Sequence, residues 1–175
     1  MNRAFQSLED EVQACITGGL GRVKALGGSA TLKLRIKRDG KARWAFMKST
    51  SLGDRETEKC LLSAVRAKTW PEPLGGEGIA EKSFELEAQP APIALDEKRS
   101  KLTLAQIRKD HWKCRKSVRG VFTATVYVRT NGQVISVGIT PPNEKGEDAA
   151  DCMAEMIKKM KFVPGRKTGK LSFTM

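Results

Sequence analysis

The chain has 175 residues, with 32 Lys+Arg against 20 Asp+Glu and a formal net charge of +12. That length suits two small units of about 75 to 85 residues, each of which buries a modest share of its surface. No apolar run is long enough to span a bilayer, and Met1-Asn2-Arg3-Ala4-Phe5-Gln6-Ser7 has no apolar core of the kind a signal peptide carries.

Residues 4–26 read as an amphipathic helix. Ser7 stands ahead of Glu9-Asp10-Glu11, acids that suit a helix start, and Val12, Cys15, Ile16, Leu20 and Val23 recur at helical spacing. Residues 30–38 alternate Leu32, Leu34 and Ile36 with Lys33, Arg35 and Lys37, the pattern of a half-buried strand. Asp39-Gly40 is a hairpin signal, and residues 41–48 return. A loop with a cap at 51–54 leads to a helix over 55–69, stopped by Pro71 and Pro73, and residues 80–86 form a third strand. Residues 88–101, with Pro90, Pro92 and mixed charge, read as a linker. The order then repeats: a helix over 104–118 capped by Thr103, strands over 122–130 and 133–140 about Asn131-Gly132, a helix over 149–161, and a last strand over 170–175.

The repeat has a fixed register. Thr31 recurs as Thr123, Asp39-Gly40 as Asn131-Gly132, Cys60 as Cys152 and Trp70 as Phe162, each 92 residues later. Duplication explains this better than chance, because the Gly-to-Cys and Cys-to-aromatic spacings agree in both copies. The expected fold class is α+β: two α-β-β-α-β units, at 1–87 and 102–175, each a three-stranded antiparallel sheet in order 2-1-3 with two helices on one face. The second unit is the basic one. Residues 1–87 carry 15 Lys+Arg and 12 Asp+Glu, a net of +3, residues 88–101 add +1, and residues 102–175 carry 14 and 6, a net of +8.

The hairpin strand ending in Asp39-Gly40, then Cys60, Trp70-Pro71-Glu72-Pro73 and Gly75-Gly76, with Cys15 upstream, resembles the C-terminal domain of TonB-type energy transducers. It is closer to the two-cysteine variants known as AgmX/PglI C-terminal domains of envelope and gliding-motility proteins. Asn131-Gly132, Cys152, Phe162, Pro164 and Gly165, with Cys114 upstream, carry the resemblance in the second unit, where Val163 interrupts the aromatic-Pro pattern. The resemblance implies a non-enzymatic interaction module whose exposed sheet edge accepts a partner strand, with 80–86 and 170–175 as the candidate edges. It also implies a periplasmic or envelope location, as part of a longer anchored protein; a cytoplasmic location is the alternative.

Cys15 and Cys60 fall on the two helices expected over one sheet face, as do Cys114 and Cys152, so pairing within each unit is reasonable among the three connectivities that four cysteines allow. Disulfides would imply an oxidising compartment; four buried apolar thiols are the other reading. With no C-x-x-C and His111 as the single histidine, neither a metal site nor any other cofactor is expected. No catalytic residues are expected, and His111 in Lys109-Asp110-His111-Trp112-Lys113 reads as a surface histidine.

A two-residue turn at Asp39-Gly40 pairs Arg38 with Lys41, Leu34 with Ala45 and Leu32 with Met47. Trp44 and Phe46 then fall on the outer face with Lys33 and Arg35, and Tyr127 takes the matching face of the second unit. These five residues are a candidate partner-binding face. Lys109, Lys113, Arg115, Lys116 and Arg119, with Lys158, Lys159, Lys161, Arg166, Lys167 and Lys170, form a basic patch. That patch makes nucleic acid or another anionic polymer the alternative partner to a protein.

Overall fold

The computed structural model describes residues 5–175, so residue 4, the expected start of the first helix, lies outside the described residues. The chain folds as α+β. It runs α1 (Glu9–Arg22), β1 (Gly28–Ile36), β2 (Ala42–Thr50), α2 (Arg55–Ala67), β3 (Gly78–Leu86), β4 (Ile93–Ala94), α3 (Lys101–Asp110), α4 (Trp112–Arg115), β5 (Thr123–Val128), β6 (Val134–Thr140), a 3-10 turn (Glu144–Gly146), α5 (Glu147–Lys158) and β7 (Gly169–Thr174). The first sheet has order β2-β1-β3, all antiparallel. The second has order β4-β7-β5-β6. Its β6-β5-β7 part repeats the 2-1-3 order, and the two-residue β4, inside the stretch read as a linker, adds parallel to β7.

Each sheet buries one face under its helices. In the first unit Leu32, Leu34, Ile36, Ala45 and Met47 pack with Cys15, Leu61, Leu62, Val65 and Trp70. In the second, Ala124, Val126, Val128, Val137 and Ile139 pack with Leu104, Ile107, Cys114, Met153, Ile157 and Phe162. Asp54 caps α2, accepting from the Thr57 N–H at 3.2 Å. Ser7 does not cap α1, whose N-cap is Leu8, although Glu9, Asp10 and Glu11 do occupy the first turn. The helix expected over 104–118 is two pieces, Lys101–Asp110 and Trp112–Arg115, divided at His111, and it ends at Lys116, whose positive φ of 53° an α-helix cannot continue through.

The turns differ from the two-residue form. Lys37 N–H bonds the Lys41 carbonyl and Gly40 N–H bonds the Lys37 carbonyl, so Lys37, not Arg38, pairs with Lys41. Only Gly40 of the turn has positive φ (+75°), which marks a three-residue loop closed by a left-handed glycine. A bulge between Arg35/Trp44 and Ile36/Ala42 then restores the expected pairs Leu34 with Ala45 and Leu32 with Met47. The second unit does the same, with Arg129 bonded to Gln133 and Gly132 at φ +85°. The glycine and the distant aromatic repeat together for a structural reason. Trp70 N–H bonds the Gly40 carbonyl and Phe162 N–H bonds the Gly132 carbonyl, each at 2.8 Å, and a Cβ on either glycine would strike the aromatic residue's own carbonyl.

Candidate functional site

Trp44, Phe46, Lys33 and Arg35 share the outer face of the first sheet through the pairs Lys33 with Phe46 and Arg35 with Trp44. The aromatic rings lie 5.7 Å apart, tilted, and Phe46 is buried although it faces away from the core. The cations are spent within the face: Lys33 and Lys48 pair with Glu81, and Arg35 and Arg43 pair with Glu77. Hydrogen bonds from Arg43 and Lys48 hold Glu77 and Glu81, respectively, below the usual carboxylate range. Each carboxylate is shared by two cations, so every one of the four cations is held in an ion pair, though the charge on them is only half balanced.

Tyr127 does not join that face. It lies on the outer side of the second sheet, where the first unit buries it completely. Its hydroxyl donates to the Gly27 carbonyl and accepts from the Gly27 N–H, both at 3.1 Å. Gly53 sits against the ring; a Cβ there would come within 2.9 Å of it, and its φ of +74° also requires glycine. Ser136 Oγ donates to the Gly53 carbonyl at 2.5 Å. Lys170 leaves the basic patch for this joint. Its Nζ donates to the Gly27 carbonyl at 2.6 Å and stands 5.1 Å over the Tyr127 ring, and burial pushes its pKa down.

The edges β2 and β6 also meet here, and their free backbone groups are satisfied by side chains from across the joint. Glu58 Oε2 accepts from the Ile139 N–H at 3.0 Å, Glu147 Oε2 from the Met47 N–H at 3.1 Å, and Thr140 Oγ1 from the Thr50 N–H at 2.8 Å. Met47 and Ile139 are the same position of the repeat (47 plus 92 is 139), so each unit supplies a carboxylate to the same edge amide of the other. Arg55 lies between the two acids. Its guanidinium reaches Glu147 Oε1 at 2.6 Å, Asp151 Oδ1 at 2.7 Å and Glu58 Oε2 at 3.7 Å, and Lys59 holds the far oxygen of Asp151 at 3.2 Å. Burial alone would raise Asp151, but the bonds from Arg55 and Lys59 outweigh it and leave the carboxyl below its ordinary value.

Glu58 is fully buried, and burial pushes its pKa to about 7 despite the lowering by Ile139 N–H, Arg55 and Thr50. A carboxyl raised in the folded state binds more protons folded than unfolded. Its contribution to stability is therefore full below about 4.5 and is lost as pH rises through about 7. Glu58→Gln is expected to flatten the decline in unfolding free energy across that window, measured by denaturant titration at a series of pH values. An unchanged slope in the variant would show that Glu58 does not titrate there.

The other basic residues divide into groups. Lys113 pairs with Asp110, and Arg115 bonds the Val118 and Gly120 carbonyls while stacking 5.7 Å over Phe122. Lys109, Lys116 and Arg119 are exposed on or beside α3 and α4. Lys158, Lys159 and Lys161 line a groove with Arg129, Lys167 lines an adjoining groove with Lys24, and Arg166 lines a third with Leu95 and Arg99. His111 Nδ1 lies 2.7 Å from the Arg108 carbonyl and its Nε2 3.3 Å from Arg115, a helical surface setting.

Sequence reading missed Arg55, Glu58, Glu147, Lys24 and Arg129. Two signals pointed to the joint. Arg55 opens a helix, where a cation opposes the dipole. Arg55 and Glu147 also occupy one repeat position (55 plus 92 is 147) with opposite charge.

Cys15 is bonded to Cys60 and Cys114 to Cys152, with Cα separations of 5.6 and 5.5 Å. Disulfides indicate an oxidising, extracytoplasmic setting. Among the described residues no helix is long and apolar enough to cross a membrane. Compared with known proteins, the chain matches no family model, no curated protein and no solved structure.

Proposed function

We propose that the chain is a non-enzymatic protein-interaction module of a bacterial cell-envelope or motility machine, and that it takes an extended segment of its partner on the free edge of β3. The observation that carries this reading is internal to the molecule. In the second unit, β4 already lies along the β7 edge, with Ile93 N–H bonded to the Thr168 carbonyl and Leu95 N–H to the Lys170 carbonyl. Among the described residues the corresponding strand of the first unit, β3, pairs with β1 alone. It is longer than β7, at nine residues against six, and its Phe84 and Leu86 are only partly covered. Main-chain bonding would supply affinity, and the half-covered apolar side chains selectivity. The resemblance carried by Asp39-Gly40, Cys60 and Trp70-Pro71-Glu72-Pro73 supports the same assignment. The two disulfides support a periplasmic or envelope location, and the resemblance supports a place within a longer anchored protein.

A peptide bearing the chain's own Pro92-Ile93-Ala94-Leu95 is the minimal probe, since that sequence already adds to β7. It is expected to perturb and protect the amides of Gly78–Leu86, with little change as salt is raised. Protection confined to other elements, or binding lost with salt, would reject strand addition at β3.

A further inference from the structure

Two grooves meet at Arg129 and Ile135, where the α1–β1 loop of the first unit faces the second unit. Seven cations line them: Arg22 and Lys24 from the first unit, and Arg129, Lys158, Lys159, Lys161 and Lys167 from the second. No carboxylate lines either groove. Arg22 is held by Asp54 at 2.6 Å, but among the described residues none of the other six forms an ion pair, whereas the four cations on the outer face of the first sheet all do. Unpaired like charges gathered in a concave cleft repel one another and raise the local concentration of anions.

We infer that this cleft, spanning both units, is a binding site for a flexible chain of phosphodiesters, held through its phosphates. Three features select that ligand. The cations come from separate elements along two adjoining grooves that share Arg129 and Ile135, a concave path that a flexible chain can follow more closely than a flat bilayer. Val23, Ala25 and Ile135 give the floor an apolar strip for the sugar or linker between phosphates. No aromatic side chain lines either groove, so bases have no stacking platform and binding reads charge rather than sequence. The site is separate from the β3 edge and stands independently of the strand-addition reading.

The test uses the intact, disulfide-bonded chain and a labelled oligothymidylate, followed by fluorescence anisotropy over a range of salt. Binding is expected at low salt, with log affinity falling linearly against log salt. Arg129 and Lys167 are both exposed, so Arg129→Ala with Lys167→Ala leaves the fold intact. That pair is expected to weaken binding on the order of tenfold and to reduce the slope by about 1.4, from two contacts at about 0.7 each. Lys109→Ala with Lys116→Ala removes the same charge outside the cleft and is expected to leave the slope unchanged. Inorganic polyphosphate should compete, showing that phosphates are what is read. No binding at low salt, equal slope changes in the two double variants, or preference for phosphatidylglycerol vesicles over the oligonucleotide would each overturn the inference.

Discussion

Reduction of the two disulfides is expected to cost this protein most of its stability. Cys15–Cys60 and Cys114–Cys152 span 45 and 38 residues of sequence. Loop-closure entropy removed from the unfolded chain is worth about 4 kcal/mol for each loop of that size. The two together approach the whole stability of an ordinary small domain, on the order of 5 to 15 kcal/mol. Each bridge ties a buried first-helix cysteine to an exposed cysteine on the helix after the hairpin, so it also fixes the helix pair over its sheet. Differential scanning calorimetry with and without reductant measures the effect. Replacing both Cys15 and Cys60 with Ser should lower the melting temperature sharply while Cys114–Cys152 persists. Thiol counting under denaturing, non-reducing conditions should find no free thiol. Four free thiols in oxidised protein would remove both the stability argument and the case for an oxidising compartment.

Arg55→Ala is expected to be the most damaging single substitution outside the hydrophobic cores. Arg55 is itself buried and separates two buried acids, Glu58 and Glu147, which cap edge amides across the joint. Removing the cation while leaving both acids strands uncompensated charge, which costs about 3 to 5 kcal/mol in buried pairs. The loss should appear in denaturant unfolding at neutral pH and shrink at lower pH, where Glu58 is protonated. A triple variant, Arg55→Met with Glu58→Gln and Glu147→Gln, should recover most of the loss, because no buried charge then remains to be neutralised and half-exposed Asp151 keeps Lys59 as its partner. An Arg55→Ala cost below about 1 kcal/mol, the range of solvated pairs, would mean that water enters the joint and that the units are held together by other contacts.

Much of each unit was legible in the sequence, because it rests on local periodicity. Alternation at Leu32, Leu34 and Ile36 determines which side of β1 is buried whatever lies beyond the sheet. Even the mistaken turn left the inner and outer faces unchanged, since the bulge returned the strands to register within two residues of the turn. The cysteine pairing followed from placing two helices on one sheet face. The joint followed from none of this. An outward-facing position in a strand is only excluded from its own core; whether a second unit covers it depends on docking. Tyr127 and Lys170 read as outward-facing, yet Tyr127 is buried and Lys170 half-buried against Gly27, 100 and 143 residues away in the chain. Glu58 and Arg55, in the first turn of a helix, are enclosed by the edge of the other sheet. Which cations stayed free was likewise a tertiary outcome. Lys33 and Arg35 found carboxylates when β3 paired beside β1, whereas Lys24, Arg129 and Lys167 converged on a cleft with no acid within it. Strand and helix period report the direction of a side chain, and only the packing of the two units decides what it meets there.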